Sequence, residues 1–166
     1  MNPEYSILFV GSTRGEFRRS VRVVHSAGLP LIVIGSGWGR FISSSMVLNS
    51  YIPPRDLCSV YQNCRVLLND HWEDMCRNGF ISNRVFDAVA SGAKIVTEDM
   101  EGVTEIFGDS ICTYKSDEEM LRVIHSLIDE EGHFLKREII DRVRYEHSFD
   151  RRAQEILKVV QDYHDY

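Results

Sequence analysis

The sequence predicts an α/β domain, a Rossmann-like parallel sheet with helices on both faces and C-terminal helices packed alongside. Three observations carry this. Short apolar runs recur at residues 5–10, 31–34, 65–68, 94–97 and 111–114. They do not alternate with polar residues, as befits strands covered on both faces. Stretches with apolar residues at helical spacing separate them. The loops starting at Gly11, Gly35, Asn69 and Thr97 therefore converge on one crevice beyond the carboxyl ends of the strands, where such sheets bind ligands.

The elements follow in order. Residues 5–10 read as a first buried strand closed by Gly11, and a helix is expected from near Glu16. Phe17, Val21, Val24 and His25 fall on its apolar stripe, and Ala27 with Gly28 ends it. A second strand at 31–34 leads into Gly35, Ser36, Gly37, Trp38 and Gly39. A weaker third strand is expected around 46–48, with 49–52 as an extension. Pro53 and Pro54 suit a first helical turn, and Leu57, Val60, Tyr61 and Cys64 line one face of the helix that follows. A fourth strand at 65–68 ends at Asn69, ahead of a polar loop over 70–80. In that loop His71 reads as a surface histidine, Trp72 as a packed ring, and Glu73 and Asp74 as solvated acids.

Ser82 and Asn83 are cap-type residues for a helix carrying Val85, Phe86 and Val89, with Gly92 at its end. The strand at 94–97 runs into Glu98, Asp99 and Glu101 and then a short helix. Beyond the last strand, Ser116 with Glu119 makes a capping box for a helix with Met120, Leu121, Ile124, Leu127 and Ile128 on one face. A further helix is expected over 132–145, and a final one from Asp150 with Ala153, Ile156, Leu157, Val160 and Tyr163 at helical spacing.

At 166 residues the chain reads as one domain with room for a substantial core. A net charge of −6 argues against a general nucleic-acid binder, while leaving room for a local phosphate pocket built from a few arginines. Cys58, Cys64, Cys76 and Cys112 contain no C-x-x-C pair and read as reduced thiols of a cytosolic protein. Cys58, Cys64, His71 and Cys76 match no zinc spacing. No signal peptide or membrane-spanning run is legible, so a cytoplasmic or cytoplasm-facing location is expected.

The first loop, Gly11-Ser12-Thr13-Arg14-Gly15, lacks the second glycine of a dinucleotide fingerprint and the G-K-[ST] ending of a Walker loop. Arg40 stands where the second glycine-rich loop would need its last glycine. Arg14 and Glu16 break the hydroxyl run of a flavodoxin-type loop, and a receiver domain would need acids where Gly11, Ser12 and Thr13 stand. Arg14 is instead suited to clamp a diphosphate through paired hydrogen bonds, or to be a solvated loop arginine. The helix start at Ser82 and Asn83 is a second candidate anion site, because free amides and the helix dipole point outward there.

The segment Asn83, Arg84, Phe86, Asp87, Ala90, Gly92, the strand Ile95-Val96-Thr97, then Gly102 and Glu105 resembles the donor-binding, C-terminal half of GT-B glycosyltransferases of the group 1 type. It looks closest to the spore-maturation, CgeB-like branch, which reads R-x-F-E-x-x-A-x-G before an apolar strand. The stretch at 53–69, the opening strand with its arginine-bearing loop, and the closing Glu146-His147-Ser148-Phe149-Asp150-Arg151 are similar to the family in the same order.

The resemblance implies a hexosyltransferase-type enzyme taking a UDP- or GDP-linked sugar as donor. It implies that Asp87 holds the ribose hydroxyls, one methylene shorter than the family's glutamate, and that Ser82, Asn83 and Arg84 cradle the distal phosphate. Gly11 and Arg14 would approach the diphosphate from across the crevice, with Arg18 as substitute, and Tyr51 would border the base. Gly102 and Glu105 would contact the donor side. The position eight residues before Asp87, where the wider group often keeps a sugar-binding glutamate, is Gly79; Glu73 or Asp74 of the preceding loop would be the stand-ins, and His71 and Trp72 could face the sugar as the alternative to their surface and packed readings. Neither a catalytic base, a metal nor a cofactor is expected in this chain, and retention is what the group implies.

Because the first strand falls within the first ten residues, the family's N-terminal acceptor domain is expected to be absent. The chain would then be a fragment or one member of a complex, inactive without the other half, and homodimerisation is a further expectation. The alternative is a non-catalytic nucleotide-binding or protein-interaction module of the same fold.

Overall fold

The structure, a computed structural model, describes residues 5–129 and 135–164. Six strands, β1 (Tyr5–Val10), β2 (Leu31–Ile34), β3 (Val47–Asn49), β4 (Cys64–Leu68), β5 (Ile95–Glu98) and β6 (Cys112–Tyr114), form one sheet in the order β3-β2-β1-β4-β5-β6. Every pairing is parallel, with Ile7 opposite Leu31 on one side of β1 and opposite Val66 on the other. This is a Rossmann-like α/β fold, as the strand pattern predicts.

The pleat divides the apolar runs between two cores. Ile7, Phe9, Val33, Val66, Leu68 and Val96 face one side. They meet Val21 and Val24 of helix α1 (Arg19–Ser26) and Met120, Ile124 and Leu127 of α6 (Asp117–Asp129). Leu8, Ile34, Leu67 and Ile95 face the other side. There they meet α2 (Leu57–Gln62), α4 (Asn83–Ser91), α5 (Val103–Phe107) and α7 (Arg137–Glu146) through Tyr61, Val85, Ala88, Val89, Phe107, Ile139 and Val143. Full cover on both faces is why the strands read as continuous apolar runs rather than alternating ones.

Several element bounds differ from the sequence expectation, each for a local reason. Helix α1 starts at Arg19, not near Glu16, because Arg14 and Gly15 adopt left-handed φ of 52° and 92° and turn the chain first. Cys64 belongs to β4 rather than to the face of α2, with its thiol donating to the Tyr61 carbonyl at 3.1 Å. The polar loop holds a helix of its own, α3 (Glu73–Arg77). The helix expected over 132–145 is α7; residues 132–134 lie outside the described residues. The box at Ser116 and Glu119 forms with a shift: Ser116 Oγ accepts the Glu119 amide at 3.1 Å, while Glu119 reaches the Lys115 amide at 2.8 Å.

The final helix, α8 (Phe149–His164), carries the expected apolar stripe facing outward. Ile156, Leu157, Val159, Val160 and Tyr163 are all exposed. No helix among the described residues is long and apolar enough to cross a membrane.

Candidate functional site

The strand order reverses between β1 and β4, and the crevice of such a sheet opens at that switch point. The ends facing it are Gly11 after β1 and Asn69 after β4. The first two loops are stitched into one unit above β1 and β2. The Gly11 amide donates to the Ile34 carbonyl at 2.8 Å, and Trp38 Nε1 donates to the Gly11 carbonyl at 2.9 Å. The Ser36 amide and hydroxyl both reach Ser12 Oγ, at 3.1 and 2.9 Å. Gly35, at φ 148°, passes so close to the Gly11 carbonyl that any side chain would collide with it. From this unit Arg14 projects, exposed, with its guanidinium 5.8 Å from the Trp72 ring.

The start of α1, where a dinucleotide-binding sheet would seat phosphate, is filled by an acid of the chain itself. Asp70 Oδ2 accepts the Ser20 amide at 3.1 Å and the Ser20 hydroxyl at 2.9 Å. Its other oxygen pairs with Arg18, which also donates to the Asp70 carbonyl at 2.8 Å and lies 4.0 Å from the centre of the Trp72 ring. Both residues are buried. Arg18 is therefore not the substitute for Arg14 that the sequence suggests: its charge is already matched.

The start of α4 is built differently. Ser82 Oγ accepts the Arg84 amide at 3.3 Å, as a cap-type residue should. The Ser82 amide donates to His71 Nε2 at 3.0 Å, and His71 Nδ1 faces Glu98 Oε2 at 3.1 Å. An amide can only donate, so Nε2 is the acceptor and the ring proton sits on Nδ1, pointed at the carboxylate. Expected at the surface, the His71 side chain is fully buried. Its sequence signal is the polar triplet Asn69-Asp70-His71 directly after a buried strand.

Arg84 follows. Its guanidinium is enclosed between Asn69, whose Oδ1 accepts from Nη1 at 2.7 Å, and the Phe9 ring at 4.9 Å. Asn69 Nδ2 donates to Thr97 Oγ1 at 2.9 Å, which fixes the amide so that its oxygen meets the arginine. Nη2 lies against Gly11, where an added Cβ would come within 2.6 Å of it. Burial lowers the pKa of Arg84. Among the described residues no carboxylate forms an ion pair with this guanidinium.

Gly11, Ser82, Asn83 and Arg84 are thus brought together. Asp87, on the next turn of α4, is exposed; partial burial raises its carboxyl pKa while Arg84 and Arg152 oppose the rise. Arg152 reaches back from α8 to Asn83 Oδ1 at 3.5 Å and lies 4.6 Å from the Phe86 ring. Gly102, at φ 84°, opens α5 beside Ile81.

Two expected residues stand apart. Tyr51 lies exposed after β3, two strands away from β1. Glu105 is gathered with Gly108, Asp109, Lys136, Glu138 and Arg142 around a separate cavity between α5 and α7. In the polar loop Glu73 pairs with Arg77, and Asp74 Oδ1 accepts the Met75 amide at 2.9 Å. Gly79 closes α3 at φ 68°. The Phe80 amide returns to the Met75 carbonyl at 2.9 Å and the Gly79 amide to Cys76 at 3.3 Å, a Schellman ending that wants glycine.

A family model described as glycosyl transferase-like matches residues 14–158. Among solved structures, AviGT4, a glycosyltransferase involved in avilamycin A biosynthesis, is similar with a TM-score of 0.51 at 18% identity, over 86% of this chain and 46% of that one. A GtfA/B complex is similar with a TM-score of 0.57 at 12% identity, over 99% of this chain and 37% of that one. At such identities the likeness is one of fold, and this chain spans less than half the length of either structure. No curated protein matches the chain.

Proposed function

This chain belongs to the glycosyl transferase-like family, and on that premise we propose that it binds the nucleoside diphosphate of an activated sugar at the switch point between β1 and β4. The observation that carries the reading is Arg84, an enclosed guanidinium with no carboxylate partner among the described residues, beside a helix start and a glycine. A cation half withdrawn from water gains when an opposite charge joins it, and a phosphate on Arg84 and the first amides of α4 is such a charge. Gly11 keeps the floor of the crevice open, and Arg14 closes on the same diphosphate from the facing loop.

The finer assignments follow from that placement. Asp87, about one turn beyond the phosphate seat, accepts two ribose hydroxyl bonds. The backbone around Tyr51 borders the base, and Gly102 and Glu105 contact the donor side. The leaving diphosphate is stabilised by Arg14, Arg84 and helix-start amides, with no obligatory metal. The donor is a UDP- or GDP-linked hexose, the branch is the spore-maturation one, and the location is cytoplasmic.

The acceptor site and catalytic base belong to a second Rossmann-like unit, in a longer chain or in a partner. The exposed face of α8, with Ile156, Leu157 and Val160, is where that unit would pack; homodimerisation through the same face is the alternative arrangement. Transfer activity would then need both units. Calorimetric titration with UDP, GDP and their sugars tests the reading: binding of one nucleotide is expected, and no binding at millimolar ligand would overturn it.

A second reading, a non-catalytic nucleotide-binding or interaction module, is favoured by Gly79. The Schellman ending holds glycine where the wider group keeps a sugar-binding acid. Equal affinity for a nucleotide and its sugar conjugate would support that reading over the transferase.

A further inference from the structure

Beneath the phosphate seat lies a buried relay that the nucleotide contacts do not use. Glu98, at the end of β5, accepts from His71 Nδ1 at 3.1 Å and from the His71 amide at 3.3 Å. His71 Nε2 accepts the Ser82 amide at 3.0 Å. Ser82 is the N-cap of α4, and the next two residues are Asn83 and Arg84. The imidazole is fully buried, so it touches no substrate and cannot take a substrate proton.

We propose that His71 is a positioning residue, whose neutral imidazole, oriented by Glu98, holds the Ser82 amide and so aims the first turn of α4 at the phosphate. This rests on the proposed nucleotide-binding function. The chemistry makes the device sensitive to proton concentration in one direction. Protonation of Nε2 turns the acceptor into a donor, which then faces the Ser82 N–H donor instead of accepting from it. The cap contact is lost as pH falls, and the helix start loosens where the ligand sits.

Charged groups from several elements lie around the ring. Glu98 of β5 pairs with Nδ1, and Asp70 is next to His71 in the chain. Arg84 on α4 and Arg18 before α1 are held by the flanking Asn69 and Asp70. Burial, and after it the same two acids, raises the pKa of the Cys76 thiol on α3 and of the Tyr114 hydroxyl on β6. Both stay neutral and add no counter-charge.

The test combines two measurements on the wild type, His71→Gln and His71→Phe. Glutamine places an amide oxygen near the position of Nε2 and cannot be protonated there, whereas phenylalanine keeps the bulk and removes the acceptor. Calorimetry with UDP and GDP at pH 7.5 is expected to show His71→Phe weakened by about tenfold or more and His71→Gln within about threefold of wild type. As pH is lowered the wild type is expected to lose more affinity than His71→Gln, which follows only the ionisation of the ligand. Superposable pH profiles for wild type and glutamine variant would overturn the proposal even if the phenylalanine variant does not fold.

Nitrogen-15 spectra of the wild-type imidazole supply the independent arm. A neutral ring protonated on Nδ1, with the Ser82 amide shifting as His71 titrates, is expected. A ring protonated on Nε2 at neutral pH would overturn the relay itself, whether or not nucleotide binds. With the relay intact, a wild type that binds neither nucleotide overturns both the nucleotide reading and the role assigned to His71, whereas binding that ignores His71→Phe overturns this role alone.

Discussion

Replacing Arg84 with methionine should separate stability from binding. In the free protein the guanidinium is half-buried, held among the described residues by a hydrogen bond to Asn69 Oδ1 at 2.7 Å and by the face of Phe9 at 4.9 Å. Methionine fills much of the same volume without a charge to desolvate. The loss is one charge-assisted hydrogen bond and an unpaired Asn69 oxygen, together about 2–4 kcal/mol. The relief is the desolvation cost of a half-buried cation that no carboxylate pairs among the described residues, about 2–4 kcal/mol.

The two nearly cancel, with the balance expected toward a stabilised free protein by about 0–2 kcal/mol. For a chain of this size that is a rise in Tm of up to about 8 °C. Binding moves the other way. Losing a charged donor to phosphate costs about 1.5–3 kcal/mol, or roughly 10–150-fold in Kd. Thermal melts with and without UDP or GDP, beside calorimetry, read both effects. A variant that melts several degrees lower and binds nucleotide as wild type does would refute the reasoning, since Arg84 would then be a structural residue.

Three further outcomes are expected. Gly11→Ala meets Arg84 Nη2 at 2.6 Å, so the guanidinium is pushed off its seat; because the obstacle is a side-chain end, melting should shift little while nucleotide affinity falls about tenfold. Asp87→Asn removes a carboxyl whose pKa burial raises in the folded state. The folded protein then holds the proton more tightly than the unfolded chain. The associated stability is present below the ordinary carboxylate pKa and is lost as pH rises through the raised one. Urea titrations should therefore show the asparagine variant gaining on wild type at neutral pH and losing that gain in acid, while calorimetry shows weaker nucleotide binding. Asp70→Asn leaves the buried Arg18 without its counter-charge and should cost about 3–5 kcal/mol by urea unfolding with an unchanged slope.

Local features were legible in the sequence where one segment decides them. Strands β1, β2 and β4 are bracketed closely by their apolar runs, because each is buried on both faces and needs no partner to be recognised. Ser82 caps α4, and Gly92 closes it with the Ala93 amide returning to the Ala88 carbonyl at 2.9 Å. Helix α3 escaped notice because five residues give no period to read.

The site was legible only in part, because its deciding contacts are distant in the chain. Arg18 and Asp70 are 52 residues apart, and His71 and Glu98 are 27 apart. The polar cluster after β4 therefore reads as a solvated loop until the sheet order places it beneath two helix starts. The same distance explains why Arg18 and Arg14, neighbours in one loop, part ways: one meets an internal acid and the other faces the crevice. Tyr51 and Glu105 were placed by resemblance, and in the structure they stand away from Arg84.

The central claim is that the enclosed guanidinium of Arg84 and the first turn of α4 receive the phosphates of a nucleotide. A titration of the isotope-labelled protein with UDP or GDP, followed through the Arg84 side-chain Nε–H and the Asn83 amide, tests it most directly. Both signals are expected to move together and saturate along one binding curve. Saturable nucleotide binding that leaves both signals in place would contradict it.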